Sequence, residues 1–192
     1  AFNLLISIKN PEKLSKADYA AWCLHFTHAQ YKLYKDIKSD SIIKIAVDYY
    51  ENSNLESYSS TAYYLWGCIS ELNEQVKTAM YAYKKADDLI SRELLLKSNQ
   101  VRMKGLINYR ISNLLLVDEY YSESETYINT AIRLLKTVDN FKYLAYCHRI
   151  KAEILYRQEK PIPTILKEAE ICQKLALKDS SIDLYNNILT FK

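Results

Sequence analysis

From Tyr63 to Ala86 the chain reads YYLWGCISELNEQVKTAMYAYKKA. Tyr63, Trp66, Gly67 and Ser70 recur at steps of three and four, which places them on one helical face. Ala79, Tyr83 and Ala86 do the same further on. A polar break, Asn73-Glu74, separates the two runs. The pattern predicts two antiparallel helices in close contact. Gly67 and Ala79 are small enough to let the backbones approach, and Trp66 and Tyr83 fill the space beside them.

The same periodicity runs through the rest of the chain. AFNLLISI at the start has no cap before it and reads as the tail of a truncated helix over residues 1–9. A turn at Asn10-Pro11-Glu12-Lys13 follows. Ser15-Lys16-Ala17-Asp18 then has the form of a capping box, opening a helix that carries Tyr19, Trp22, Phe26, Ala29 and Leu33. Ser39-Asp40-Ser41 is a second cap cluster, before a helix with Ile42, Ile43, Ala46, Val47 and Tyr50 inward. Helix pairs are expected over about 15–53, 55–90, 92–137 and 140–177. Ser91 and Ser98 are rival caps for the first helix of the third pair. Pro161 and Pro163 suit a turn and a first helical turn, where a missing N–H costs nothing. Ser180-Ser181-Ile182-Asp183 is another capping box, opening a partial or capping helix over 182–191.

In the third pair, Ile111, Ser112 and Leu115 align with Trp66, Gly67 and Ser70, and Ser124, Ile128 and Ala131 align with Ala79, Tyr83 and Ala86. Ser112 and Ser124 keep the close approach. In the fourth pair Ala152 takes the small place, but Lys151 stands where Leu is expected. These offsets resemble the tetratricopeptide (TPR) repeat: a bulky residue, Leu-Gly, then Ala, an aromatic and Ala, with Trp66 in the Leu place. The resemblance covers about Ser15 to Leu177. It implies an all-α fold, a right-handed α-solenoid of antiparallel helix pairs forming one domain. The usual period is about 34 residues, whereas about 45 separate Gly67 from Ser112 and about 40 separate Ser112 from Ala152. The excess in the first interval, about three helical turns, is expected to lengthen the helices.

A narrower resemblance is carried by LSKADYAAWCLHFTHAQYKLY and SDSIIKIAVDYYE, residues 14–34 and 39–51. These segments look like the N-terminal part of TPR proteins common in Bacteroidetes, a group that includes regulators. In that family the array usually lies outside the cytoplasm, behind a lipoprotein-type signal. A membrane helix, a coiled coil and sometimes a DNA-binding helix-turn-helix follow. The resemblance implies a sensory or scaffolding region in the periplasm or cell envelope, with the cytoplasm as the alternative.

Composition narrows the function classes. Only two glycines and three prolines occur in 192 residues. A β-rich fold and a Gly-rich phosphate loop are therefore not expected. The net charge of +3 comes from 26 basic and 23 acidic residues, and the pI near 8.5 lies below the range that marks nucleic-acid binders. No nucleic-acid partner is expected. No run approaches the roughly 20 apolar residues of a membrane span.

Cys23, Cys68, Cys147 and Cys172 all fall mid-helix among apolar residues, at spacings that match no zinc motif. They read as small buried hydrophobes, with a Cys23–Cys68 disulfide as the alternative in an oxidising compartment. His25 and His28 lie three apart on one helix, but the carboxylates of that helix, Asp18 and Asp36, are each about two turns away. They read as structural or surface residues, so no metal site is expected. His148 is isolated in sequence. No nucleophile-and-base order points to catalysis, and no cofactor is expected.

Tyrosine is the one outlier: 18 Tyr against 4 Phe and 2 Trp. Tyr serves half-buried helix seams, with its ring covered and its hydroxyl wet, and it is also enriched in protein interfaces. In TPR arrays the first helix of each pair lines a concave surface. Carried onto this chain, that surface takes Tyr64, Cys68 and Glu71 from the Gly67 register. It takes Tyr109, Asn113 and Leu116 from the Ser112 register, and Arg149, Glu153 and Tyr156 from the Ala152 register. All nine are exposed-face positions by periodicity. The expected function is a non-catalytic module that binds a protein or peptide in this groove, with Tyr109 and Arg149 as anchors. The alternative is a structural or homo-oligomerisation segment whose groove is filled by its own flanking helix.

Overall fold

A computed structural model describes residues 2–53, 55–93 and 95–178. The expected helix at 182–191 lies outside them. Among the described residues the chain is all-α: nine helices and one 3₁₀ turn, with no strand. The helices are α1 (Phe2–Ser7), α2 (Lys16–Lys32), α3 (Ser41–Glu51), α4 (Glu56–Leu72), α5 (Val76–Ser91), α6 (Ser98–Val117), α7 (Tyr121–Lys136), α8 (Phe141–Arg157) and α9 (Ile162–Lys178). They fall into two compact units, α1 to α5 and α6 to α9.

In the first unit, α2 packs on α1, α3 and α4, and α4 packs on α3 and α5. Ser15 caps α2 by accepting the Asp18 N–H (3.1 Å) and donating its hydroxyl to the Asp18 carboxylate (2.6 Å). Asp40 stands at the cap of α3, yet its carboxylate accepts the Trp66 indole N–H (2.8 Å) instead. Ser39 takes over by accepting the Ser41 N–H. Trp22 and Phe26 of α2 form the seam toward α1, where Phe26 stacks on Phe2 and the Trp22 indole N–H reaches the Leu5 carbonyl (3.0 Å), and Tyr19 stacks on Trp22. Ala20, Cys23, Leu24 and Thr27 are the buried α2 side chains, and Leu33 is exposed.

The α4–α5 pair closes where the spacing placed it. Gly67, Ala79, Tyr83 and Ala86 are buried. A Cβ at position 67 would meet Cδ1 and Cε1 of Tyr83 at 2.5 Å, so the Tyr83 ring lies directly on the glycine. Trp66 is half-buried, edge-on to Tyr81.

In the second unit, α6 pairs with α7, α7 with α8 and α8 with α9, and α6 also touches α8. Ser112 and Ser124 are fully buried at the α6–α7 contact. The Ser112 hydroxyl reaches the Ser124 carbonyl (2.9 Å), the Ser124 hydroxyl reaches the Ser112 carbonyl (2.7 Å), and the hydroxyls lie 2.9 Å apart. Neither rival serine caps α6. Ser91 ends α5, Ser98 is the first residue of α6, and the cap is Lys97, whose backbone N–H is taken by the buried Gln100 side chain (2.8 Å). The extra residues of the long interval go partly into α6, at 20 residues, and partly into the 92–97 connection.

Five helices end alike. Tyr34, Glu74, Glu119, Asp139 and Glu159 each adopt positive φ. The next residue's N–H returns to the carbonyl five positions back, as from Gln75 to Ser70 (2.8 Å) and from Tyr120 to Leu115 (2.9 Å). This is the Schellman closure, for which glycine is the usual residue. Both glycines of this chain instead lie inside helices, at 67 and 105.

All four cysteines are buried and none is in a disulfide, so the structure has the buried-hydrophobe arrangement and not the Cys23–Cys68 pairing. Burial pushes the Cys23 and Cys172 thiols up to about 11. Among the described residues, no helix is long and apolar enough to cross a membrane.

Candidate functional site

Four of the nine groove positions come together in the second unit. Asn113 and Leu116 of α6 and Arg149 and Glu153 of α8 line one cleft with Val117, Glu119, Tyr121 and Arg157. Its volume is about 400 Å³. The α6–α7 turn shapes one wall: positive φ at Glu119 reverses the chain so that Tyr121 opens α7 beside the end of α6. Leu116, only 8% exposed, is floor and not rim.

The charges are carried by α8. Arg149, Glu153 and Arg157 follow at steps of four and so share one face. Glu153 lies 3.8 Å from Arg149 and 3.7 Å from Arg157. Both separations exceed hydrogen-bond length. Glu153 therefore neutralises part of the charge without taking an N–H from either guanidinium. The Arg149 side chain is 29% exposed and that of Arg157 52%. The cleft thus offers two guanidiniums, an amide, two carboxylates and an apolar floor. A guanidinium fork can hold a carboxylate through two parallel hydrogen bonds.

The other five positions do not join this cleft. Tyr109 is buried, not groove-facing: α8 covers it with Tyr143 (5.9 Å between centroids) and Tyr146 (6.3 Å), and the Arg110 guanidinium lies 5.7 Å from its ring. Tyr156 is exposed and is not among the lining residues. In the first unit, Cys68 is buried, because α4 is packed by α2, α3 and α5. Glu71 accepts the Tyr83 hydroxyl (2.7 Å). Tyr64 is half-buried against the Tyr83 ring. Periodicity separates the two faces of one helix. It does not register that a second neighbour covers the face opposite the first.

A polar cluster between α8 and α9 was missed altogether. His148 is not isolated: its Nδ1 lies 2.6 Å from Glu168 Oε2, and Lys151 Nζ lies 3.3 Å from Oε1 of the same carboxylate. The side chains of His148 and Glu168 are 13% and 12% exposed. Burial raises the Glu168 pKa, but the hydrogen bond to His148 and the charge of Lys151 outweigh it and hold the carboxyl below its ordinary value. Lys151, in the expected Leu place, thus faces a carboxylate of α9. The sequence signal was two basic side chains three apart on one helix with a Glu on the next. Arg157 was also missed; it lies one turn beyond Glu153 and could have been found by the same step of four.

His25 and His28 are exposed on α2, beside a hollow against α1. Among the described residues, no group of three or more His, Cys, Asp or Glu is placed to hold a metal ion.

No protein-family model matches the chain, and no curated protein matches it in sequence. Among solved structures it is similar to the crystal structure of BtubC (BKLC) from P. vanneervenii. The TM-score is 0.58 at 9% identity, covering 92% of this chain and 80% of that one. At that identity the likeness is one of fold.

Proposed function

We propose that the chain is a non-catalytic, TPR-like module that binds a protein or peptide, with the α6–α8 cleft as its recognition site. The observation that carries this reading is the convergence of Asn113, Leu116, Arg149 and Glu153, with Arg157, on one cleft. An apolar floor flanked by guanidiniums and an amide suits a peptide segment that presents a carboxylate beside an apolar side chain. The resemblance of residues 14–34 and 39–51 to Bacteroidetes TPR proteins supports a sensory or scaffolding role in a larger envelope-associated regulator.

The test is a peptide-array screen with the whole chain, repeated with Arg149→Ala and Arg157→Ala. Carboxylate-bearing peptides should bind, and each variant should weaken them by at least about 1–2 kcal/mol with the melting curve unchanged. Binding indifferent to both arginines would refute this site. Light scattering across concentration tests the homo-oligomer alternative: self-association abolished by Arg157→Ala would assign the cleft to a second copy.

A further inference from the structure

A second surface, in the first unit, has a chemistry of its own. Phe2, Leu4 and Leu5 of α1, with Ala29 and Leu33 at the end of α2, floor an open trough of about 810 Å³. Leu4 is 73% exposed and Leu33 51%. The trough runs along α2 from His25 to Leu33, roughly 12 Å at about 1.5 Å per residue. The Phe2–Phe26 stack and the Trp22–Leu5 hydrogen bond make α1 antiparallel to α2. A groove between two antiparallel helices is a seat for a third helix.

Among the described lining residues the trough has one charged side chain at neutral pH, and it is a cation, Lys32. His25, His28 and Lys32 line it with Asn3, and none of the described lining residues carries a carboxylate. Lys35 adds a further cation at the same edge, 6.0 Å from the Phe2 ring centroid. The nearby carboxylates are engaged elsewhere, Asp18 with Ser15 (2.6 Å) and Asp36 with Lys38 (2.8 Å). Partial desolvation first, then the charges of Lys32 and His25, lowers the His28 pKa, so at neutral pH His28 meets a carboxylate as a neutral N–H donor and Lys32 supplies the charge.

We infer that this trough docks an amphipathic helix of a partner protein, with an apolar stripe on the floor and acidic side chains toward His28 and Lys32. Those two residues are one turn apart, so the partner's carboxylates should also be one turn apart. The trough is open and between helices, which fits a helix better than a single acyl chain.

The experiment uses two labelled, stapled helical peptides of about three turns. Both carry Leu along one face; one has Glu flanking it at a spacing of four, the other Lys. Anisotropy with the whole chain should show the Glu peptide binding at least ten-fold more tightly. The double change His28→Glu and Lys32→Glu should reverse the preference, and Leu33→Asp should abolish binding. Arg149→Ala should leave it unchanged, which separates this surface from the α6–α8 cleft. Dichroism melts of each variant confirm folding. Equal binding of both peptides, or a preference that survives the charge reversal, would overturn the inference. So would co-sedimentation with phosphatidylglycerol vesicles that depends on His28 and Lys32, or a dimer lost in Leu33→Asp.

Discussion

Ser112 and Ser124 face each other across the α6–α7 contact and hydrogen-bond in both directions, each hydroxyl reaching the other's backbone carbonyl. In the α4–α5 pair the equivalent places hold Gly67 and Ala79. One pair thus keeps its helices close by having almost no side chain there. The other does so with two small polar side chains that satisfy each other, since a buried hydroxyl without a partner is costly.

The two serines should therefore be coupled through their hydroxyl–hydroxyl contact. Ser112→Ala is expected to destabilise by about 1–2 kcal/mol, because it removes the hydroxyl's bond to the Ser124 carbonyl and its contact with the Ser124 hydroxyl, which keeps the Ser112 carbonyl. The double Ala variant should lose less than the sum of the singles. Urea unfolding of the three variants measures this; strict additivity would mean the serines are not coupled.

Gly67→Ala sets two effects against each other. Alanine favours a helix interior by about 1 kcal/mol over glycine. Its Cβ would meet the fully buried Tyr83 ring at 2.5 Å, and overpacking typically costs about 1–3 kcal/mol. The ring is rigid and enclosed, so overpacking should win and the melting temperature should fall. Gly67→Leu should be worse. A rise in melting temperature would show that the ring can move aside.

Glu168 gives the second unit a defined acid response. Its folded pKa is depressed, so its contribution is fully present above the unfolded carboxyl value, near 4.5. It is lost as pH falls through the lower folded value. Glu168→Gln should cost about 1.5–3 kcal/mol at neutral pH, and its stability should fall less steeply than wild type below about pH 4.5. Chemical denaturation across that range checks the slope; parallel curves would mean that Glu168 does not couple to folding.

Tyr109 separates core from cleft. Truncating a large buried aromatic side chain costs about 3–5 kcal/mol, so Tyr109→Ala should act on stability and not selectively on binding. Lys84 is exposed on α5, and Lys84→Ala should change neither. A melting curve unaffected by Tyr109→Ala would return that ring to the groove surface.

How far the sequence could be read follows from the range of each signal. Gly67, Ala79 and Tyr83 lie within two helices joined by a short turn, and so do Ser112 and Ser124; periodicity alone brings them together. The bounds of α4 and α5 came from the same signal, within two residues. Tyr109 and Cys68 were misplaced because each faces a second neighbour. The His148–Glu168–Lys151 cluster depends on the register between α8 and α9, which no single helical period specifies. Arg149 and Glu153 were found as positions on a face. That they share a cleft with Asn113 depends on how α6 meets α8.

The five helix ends at positive φ carry a consequence for how the chain can change. A residue with a Cβ in that conformation costs roughly 1–2 kcal/mol relative to the right-handed region, and glycine escapes most of it. An acidic side chain at Glu74, Glu119, Asp139 or Glu159 also stands at the negative end of a helix dipole. Each of these turns therefore has a single substitution, to glycine, that leaves its geometry intact and relaxes it. The turns are a reserve of stability that the chain has not drawn on, spread over both units, and of the five residues only Glu119 lines the cleft. A lineage or an engineer could use that reserve to tolerate new, destabilising side chains in the cleft without altering the helices that frame it.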